Sequence, residues 1–424
     1  MFTIKPLVAA ILTVAAAQAF AAGHTSEQLQ NGNNHVAAVA QSHGSANSAK
    51  QVQGGWGNGA EINQTASYAS SALQTQAGRH NKANVEQTKA AYSDSVQSQH
   101  GHDNSASVSQ TGTWNSSAEQ RQRGDHNVAD TEQTGASGVE AVTVQEGNDN
   151  LANSYQAGAT GSSTKLYQDG NGNDAGASQT LSAGDTSLIY QLGNENTAQT
   201  VQFLSTNSFV KVEQVGVANK AYVGQTGSNQ EARTYSGGRY NTLNIRQSGR
   251  NQDAAVKQQG NLNNASLEQS GNGNTAIANQ MGRESAVAID QDGLGQVAKV
   301  EQNGDYHQAK VDQEGKYNTL HFTQSDIGNI LSAEQNGDHN RISGSSTGVN
   351  NEVDIVQDGD LNLADVEQDG VENETTLAQY GDSHMADITP NGTSHNAMVT
   401  QSGFDNSALV SQAGYNNLAT VTQH

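Results

Sequence analysis

Residues 70–87 read SSALQTQAGRHNKANVEQ, and this stretch decides the fold. Asn81, Ala83, Val85 and Gln87 stand at every second residue. A period of two is the mark of a strand with one specified face. Gln76 is followed by Ala77 and Gly78. A Gly two residues past a strand end supplies the positive φ of a tight turn. One unit is therefore a strand of ~6 residues and a turn of ~4.

Working outward, the unit recurs along the whole chain. Gln stands at 30, 41, 53, 64, 76, 87, 99, 110, 122 and 133, in alternating steps of 11 and 12. The pattern holds to 225, and from there every step is 11. The grid has 36 positions and Gln fills 33; Ser236, Ser346 and Pro390 are the exceptions. Fixed-period self-similarity of this kind marks a repeat architecture. The change from a 23-residue to a 22-residue period reads as a trimmed turn.

An antiparallel meander and a solenoid both fit a strand-and-turn unit. The alternation of 11 and 12 favours the solenoid, because odd and even units then each pair with their own kind one period away. Ser70, Ser93 and Ser116 precede odd grid positions by six residues; Asn81, Asn104 and Asn127 precede even ones. The expectation is an all-β parallel β-solenoid of strand-turn-strand rungs, with two facing sheets and amyloid-like ladders. About 18 rungs spaced by ~4.8 Å give a rod roughly 85 Å long.

Composition agrees with this and with little else. The chain has 424 residues, 45 Gly, 2 Pro, no Cys and a net charge of −22. Hydrophobic residues make up 33%, and the mean hydropathy is −0.69, so ordinary compact cores would be thin. A ladder escapes that limit. Gln76, Gln99 and Gln122 on one sheet, and Gln87, Gln110 and Gln133 on the other, can each donate an amide proton to the carbonyl of the next rung. The negative charge argues against a nucleic-acid partner. Zero Cys excludes a disulfide scaffold, a thiolate metal site and a Cys nucleophile.

Met1–Lys5 is a short n-region, Pro6–Ala17 is apolar, and Ala17-Gln18-Ala19 and Ala19-Phe20-Ala21 are A-x-A sites. Residues 1–21 therefore read as a secretory signal peptide, with the repeat domain over 22–424. The apolar run falls short of the ~20 residues that a span needs, so no membrane span is expected.

The repeat resembles that of the curlins, the subunits of bacterial curli fibres, which reads S-x5-Q-x-G-x-x-N-x-A-x3-Q. Ser70, Gln76, Gly78, Asn81, Ala83 and Gln87 match it. So do Ser93, Gln99, Gly101, Asn104, Ala106 and Gln110, and Ser116, Gln122, Gly124, Asn127, Ala129 and Gln133. The resemblance covers residues 26–424, over more rungs than the best-known curlins. It implies a secreted subunit that polymerises with itself into extracellular fibres of a biofilm matrix. It also implies export through a dedicated outer-membrane pore, with chaperones and a nucleator. The repeats begin at about Ser26, without a separate sorting segment. The second half drops Ser from several odd units and follows the pattern less closely.

Nothing stands apart from the repeat as a site of chemistry, and no cofactor, metal or enzyme activity is expected. His80, His126 and His339 fall four residues after a grid Gln, and His35, His307 and His384 five after, where a polar turn residue is expected. Gly55-Trp56-Gly57 precedes no helix and is no phosphate loop. Gln357-Asp358-Gly359 lacks the nine-residue repeat of calcium β-rolls. One charge pattern does stand out. Glu268, Asp290, Asp312 and Glu334 each precede an even grid Gln and should form an outward acidic ladder. A fibre subunit is the first functional reading. A monomeric β-solenoid adhesin or spacer, or a minor nucleator, is the alternative. The pattern running to Gln423 without a capping segment favours the fibre.

Overall fold

The computed structural model describes residues 23–424; residues 1–21, which the sequence reads as a signal peptide, lie outside them. Thirty-six strands run from β1 (Thr25–Asn33) and β2 (Val36–Ser42) to β35 (Ser407–Tyr415) and β36 (Leu418–Gln423), with no helix among the described residues. Consecutive strands are not paired. β1 pairs in parallel with β3 (Ser48–Trp56), placing Gln30 opposite Gln53. β2 pairs in parallel with β4 (Gly59–Thr65), placing Gln41 opposite Gln64. The same rule holds throughout, giving two facing sheets of 18 strands each. The molecule is a parallel β-solenoid of 18 rungs, each one odd strand, a corner and one even strand. The even sheet is open: β2 pairs only with β4, and β36 only with β34 (Asn396–Phe404).

Strands are longer than the sequence suggested, mostly 7 or 9 residues, because pairing continues through the Gln-x-Gly turn signal. β5 (Ser71–Arg79) contains both Gln76 and Gly78. The odd-to-even corner is then only His80 and Asn81. Gly78 has φ 117°, and a Cβ placed on it would lie 2.0 Å from the carbonyl oxygen of Gly101 on the next rung. Glycine is needed there twice over, for its dihedral and for the close approach of stacked backbones. Asp326 occupies this column between Gly304 and Gly348 with φ 77° and is a strained departure from it.

The even-to-odd corner exists in two forms. In the first half it is wide and carries its own column of isolated parallel bridges, Tyr68–Ala91–Trp114 among them, ending at Thr206–Ser228. From β18 (Lys220–Ser228) onward, most even strands have 9 residues and end in Gln-x-Gly like the odd ones. The period therefore shortens by trimming this one corner.

Ser70, Asn81 and their equivalents sit in the corners rather than in the strands, with their side chains buried. The apolar core between the sheets is divided, with a small cluster from Ala49 to Ala118 and a large one from Ala152 to Val410. From Leu166 onward the odd strands contribute apolar side chains such as Ile189, Val212, Val300 and Phe322, all within one large apolar cluster. Earlier odd strands place Gln there instead, except β11 (Glu140–Asn148), which places Thr143.

Candidate functional site

Every feature the sequence singles out belongs to a column running along the rod. In the even column Gln87 Nε2 donates to Gln110 Oε1 at 2.7 Å, and Gln110 to Gln133 at 2.8 Å. The relay runs unbroken from Gln41 to Gln423. The second amide proton is used as well: Gln87 Nε2 also reaches the carbonyls of Ser71 and Ser93, each at 3.1 Å. In the odd column Gln76 donates to Gln99 and Gln99 to Gln122, both at 2.8 Å. Burial is complete or nearly so at all six. A buried amide left unpaired costs a few kcal/mol, and here each rung satisfies the one before it.

The odd column is interrupted where Gln is missing. Ser236 Oγ reaches Gln258 at 3.2 Å and Ser346 Oγ reaches Gln368 at 3.4 Å, so a hydroxyl restores half of the relay. Pro390 restores none. Gln412 Oε1 is buried without a hydrogen-bond partner, and Gln368 Nε2 turns to Thr375 Oγ1 at 2.8 Å instead.

The corner column at Asn81, Asn104 and Asn127 runs the opposite way. Asn104 donates both its backbone N–H and its side-chain amide to Asn81 Oδ1, at 3.1 and 3.0 Å, and Asn127 does the same to Asn104. Gln columns thus donate towards the C-terminal rungs and the Asn column towards the N-terminal ones. Gly78, Gly101 and Gly124 stack beside it in register. At the other corner Gln cannot stand in for Asn. Oε1 of Gln230, Gln252 and Gln296 is buried and unpartnered, because the longer side chain carries its oxygen past the next rung's N–H. Gln252, not Asn251, is the residue in this column; Asn251 has φ 52°.

Two features escaped the sequence reading. A second relay runs from Gln28 through Gln51, Gln74 and Gln97 to Gln120, at 2.9–3.0 Å per step. Its signal is Gln-x-Gln at every odd grid position from Gln30 to Gln122. The second is the role of histidine. His80, His126 and His339 sit at positive φ in the corners, but His307 and His384 are buried. His307 Nδ1 accepts the backbone N–H of Asn329 at 3.2 Å, and Nε2 faces the carbonyl of Asn303 at 3.4 Å. His384 and His395 repeat the arrangement towards Asn406 and Asn417. The imidazole mimics an asparagine, accepting from the next rung and donating locally. Burial holds the His307 imidazole below the usual histidine range, against smaller opposing effects of its backbone partners and of Asp326 and Asp305.

On the outer face of the even sheet the register sets Glu268 opposite Asp290, Asp290 opposite Asp312 and Asp312 opposite Glu334. Partial burial raises the Asp290 carboxyl above the usual carboxylate range, and the charges of Asp312, Glu268 and Asp292 add to it. Among the described residues no group of three or more His, Asp or Glu is placed to hold a metal ion. No helix there is long and apolar enough to cross a membrane.

The family described as curlin associated repeat matches residues 206–233, 238–271, 359–389 and 391–424. All four matches lie beyond residue 205, mostly in the second half, where the repeat drops Ser from several odd units. There both strands of most rungs end in Gln-x-Gly, as at Gly216 and Gly227 or Gly370 and Gly381. No curated protein matches the chain. With the solenoid and its Gln relays in place, these four matches show that the chain carries curlin associated repeats within residues 206–424.

Proposed function

We propose that the chain is the structural subunit of an extracellular, curli-like amyloid fibre of a biofilm matrix, and that it assembles by adding rungs of a second copy to the open edges of its two sheets. The observation that carries this is the register. Each described rung meets the next with Gln on Gln, Asn on Asn or Gly on Gly, so a rung from another copy finds the same partners. Setting β1 on β35 would place Gln30 on Gln412 and Gly32 on Gly414; setting β2 on β36 would place Gln41 on Gln423. Secretion behind the signal peptide, export through a curli-type outer-membrane pore, and accessory chaperones and nucleator follow from the same family reading. The repeat family is structural rather than enzymatic. Purified mature protein should form fibres without any cofactor and diffract at about 4.7 and 10 Å. Monodisperse rods persisting for days at micromolar concentration would overturn the proposal.

A further inference from the structure

We propose that the outer face of the odd sheet, from β15 (Thr186–Asn194) to β35, docks a second copy of the chain, with the two rods antiparallel. The two-fold axis runs along the strand direction at β25 (Val297–Asp305). This surface lies on the flank of the rod, so it is independent of rung addition at the edges.

The register fixes which residues share each outward column. One column runs Leu188, Lys211, Arg233, Ala255, Ile277, Lys299 and on to Asp365, Asp387 and Leu409. The neighbouring column runs from Phe209 through Asp253 and Val297 to Arg341 and Met385. An antiparallel two-fold leaves each column facing itself with the rungs in reverse order. Lys211 then meets Asp387 of the second copy, Arg233 meets Asp365, and Asp253 meets Arg341. Symmetry makes each of these pairs twice. Apolar side chains match in the same register: Phe209 meets Met385, Leu188 meets Leu409, and Val297 meets itself on the axis. Met385 and Leu409 are exposed in the single rod. Beside the axis Lys299 and Glu301 face their own copies, already paired with each other at 2.9 Å.

The charges exclude the other face-to-face arrangement. Parallel rods would set every rung against itself, so that Asp365, Glu367 and Asp369 of β31 (Leu363–Val371) would face three identical carboxylates. The even face is equally unsuited, because Glu268, Asp290, Asp312 and Glu334 would meet one another. Eleven rungs at ~4.8 Å by six residues at ~3.3 Å make a face of about 1,000 Å² per copy. A stable interface needs about 800 Å² per partner. Complementary charge across such a face specifies orientation as well as partner.

The chain has no Cys, so Val297→Cys introduces a single thiol beside the axis. A short bis-maleimide should link two copies through it, in freshly desalted protein and in fibres alike. Ala286→Cys, on the even face, should link at least tenfold less. If both variants link equally, the proposal fails. Should position 297 disturb β25, mixing Phe209→Cys with Met385→Cys gives the same reading. In the Val297→Cys background, Arg233→Asp or Asp365→Arg alone should reduce linking about tenfold, and mixing the two proteins should restore it. Linking indifferent to these reversals would also overturn it. Whether the protein polymerises end to end affects neither result.

Discussion

At the scale of the residue, the molecule turns on how a polar side chain is buried. Amides dominate because each carries a donor and an acceptor on one rigid plane, so translation by one rung brings the two together. Imidazole does the same only while neutral. His307 presents Nδ1 as acceptor to Asn329, and protonation would remove that acceptor and bury a charge. Its folded pKa is depressed, so its contribution to stability is full above the unfolded value of ~6.5 and is lost as pH falls through the folded one. His307→Asn should flatten the fall in urea-unfolding midpoint between pH 7 and 5. The difference should be at most about 1.4 kcal/mol per pH unit. Parallel acid profiles for the two proteins would show that His307 does not titrate this way. Its place five residues after Gln302 marks His307 as a polar turn residue. That place does not tell that the ring points inward, since a corner offers inward and outward places one residue apart.

At the scale of the element, strand β33 (Met385–Thr393) carries a break inside its pairing register. Its pairing with β31 runs to Val366–Ile388 and resumes at Asp369–Asn391, missing the two pairs around Pro390. Proline lacks the N–H and its ring obstructs the neighbour. The loss of the ladder at 390 was plain in the sequence, as a gap in a 33-residue series. The orphaned oxygen of Gln412 was not, because the direction of the relay is set by side-chain geometry. Pro390→Gln supplies the missing donor and the missing backbone bond. It should stabilise the rung by roughly 1–2 kcal/mol. Hydrogen exchange over residues 380–400 should slow accordingly, and unchanged rates would mean that some other feature weakens this rung. Strand ends were the least legible elements, since Gly signals a turn from outside but is paired into the strand here.

At the scale of the whole molecule, register turns local charge into long-range pattern. The chain's net charge of −22 says only that copies repel. The ladder says where. Adjacent carboxylates one rung apart repel by roughly 1 kcal/mol even at the dielectric of water. The Asp290 carboxyl is raised by burial and by its neighbours, so its stability contribution is full below the unfolded pKa and lost as pH rises through the folded one. Replacing Glu268, Asp290, Asp312 and Glu334 together with Ser should speed assembly at pH 7 and flatten its pH dependence. Replacing four acids taken from different columns should do much less. Equal rates for the two variants would leave net charge as the whole effect. Period, sheet pairing and this ladder were all readable because one translation generates them. The polarity of the amide relays was not, since a sequence of identical letters carries no direction.

That polarity has a consequence for length. A column of amides all pointing one way is a row of aligned dipoles, and its two tips carry opposite partial charge. The Gln relays point towards the C-terminal rungs and the Asn relay towards the N-terminal ones, so their dipoles oppose each other within one cross-section. The field at a tip is smaller than the Gln relays alone would set up, and each added rung brings part of its own compensation. A filament built this way accumulates less electrostatic strain as it lengthens than amide columns of one direction would.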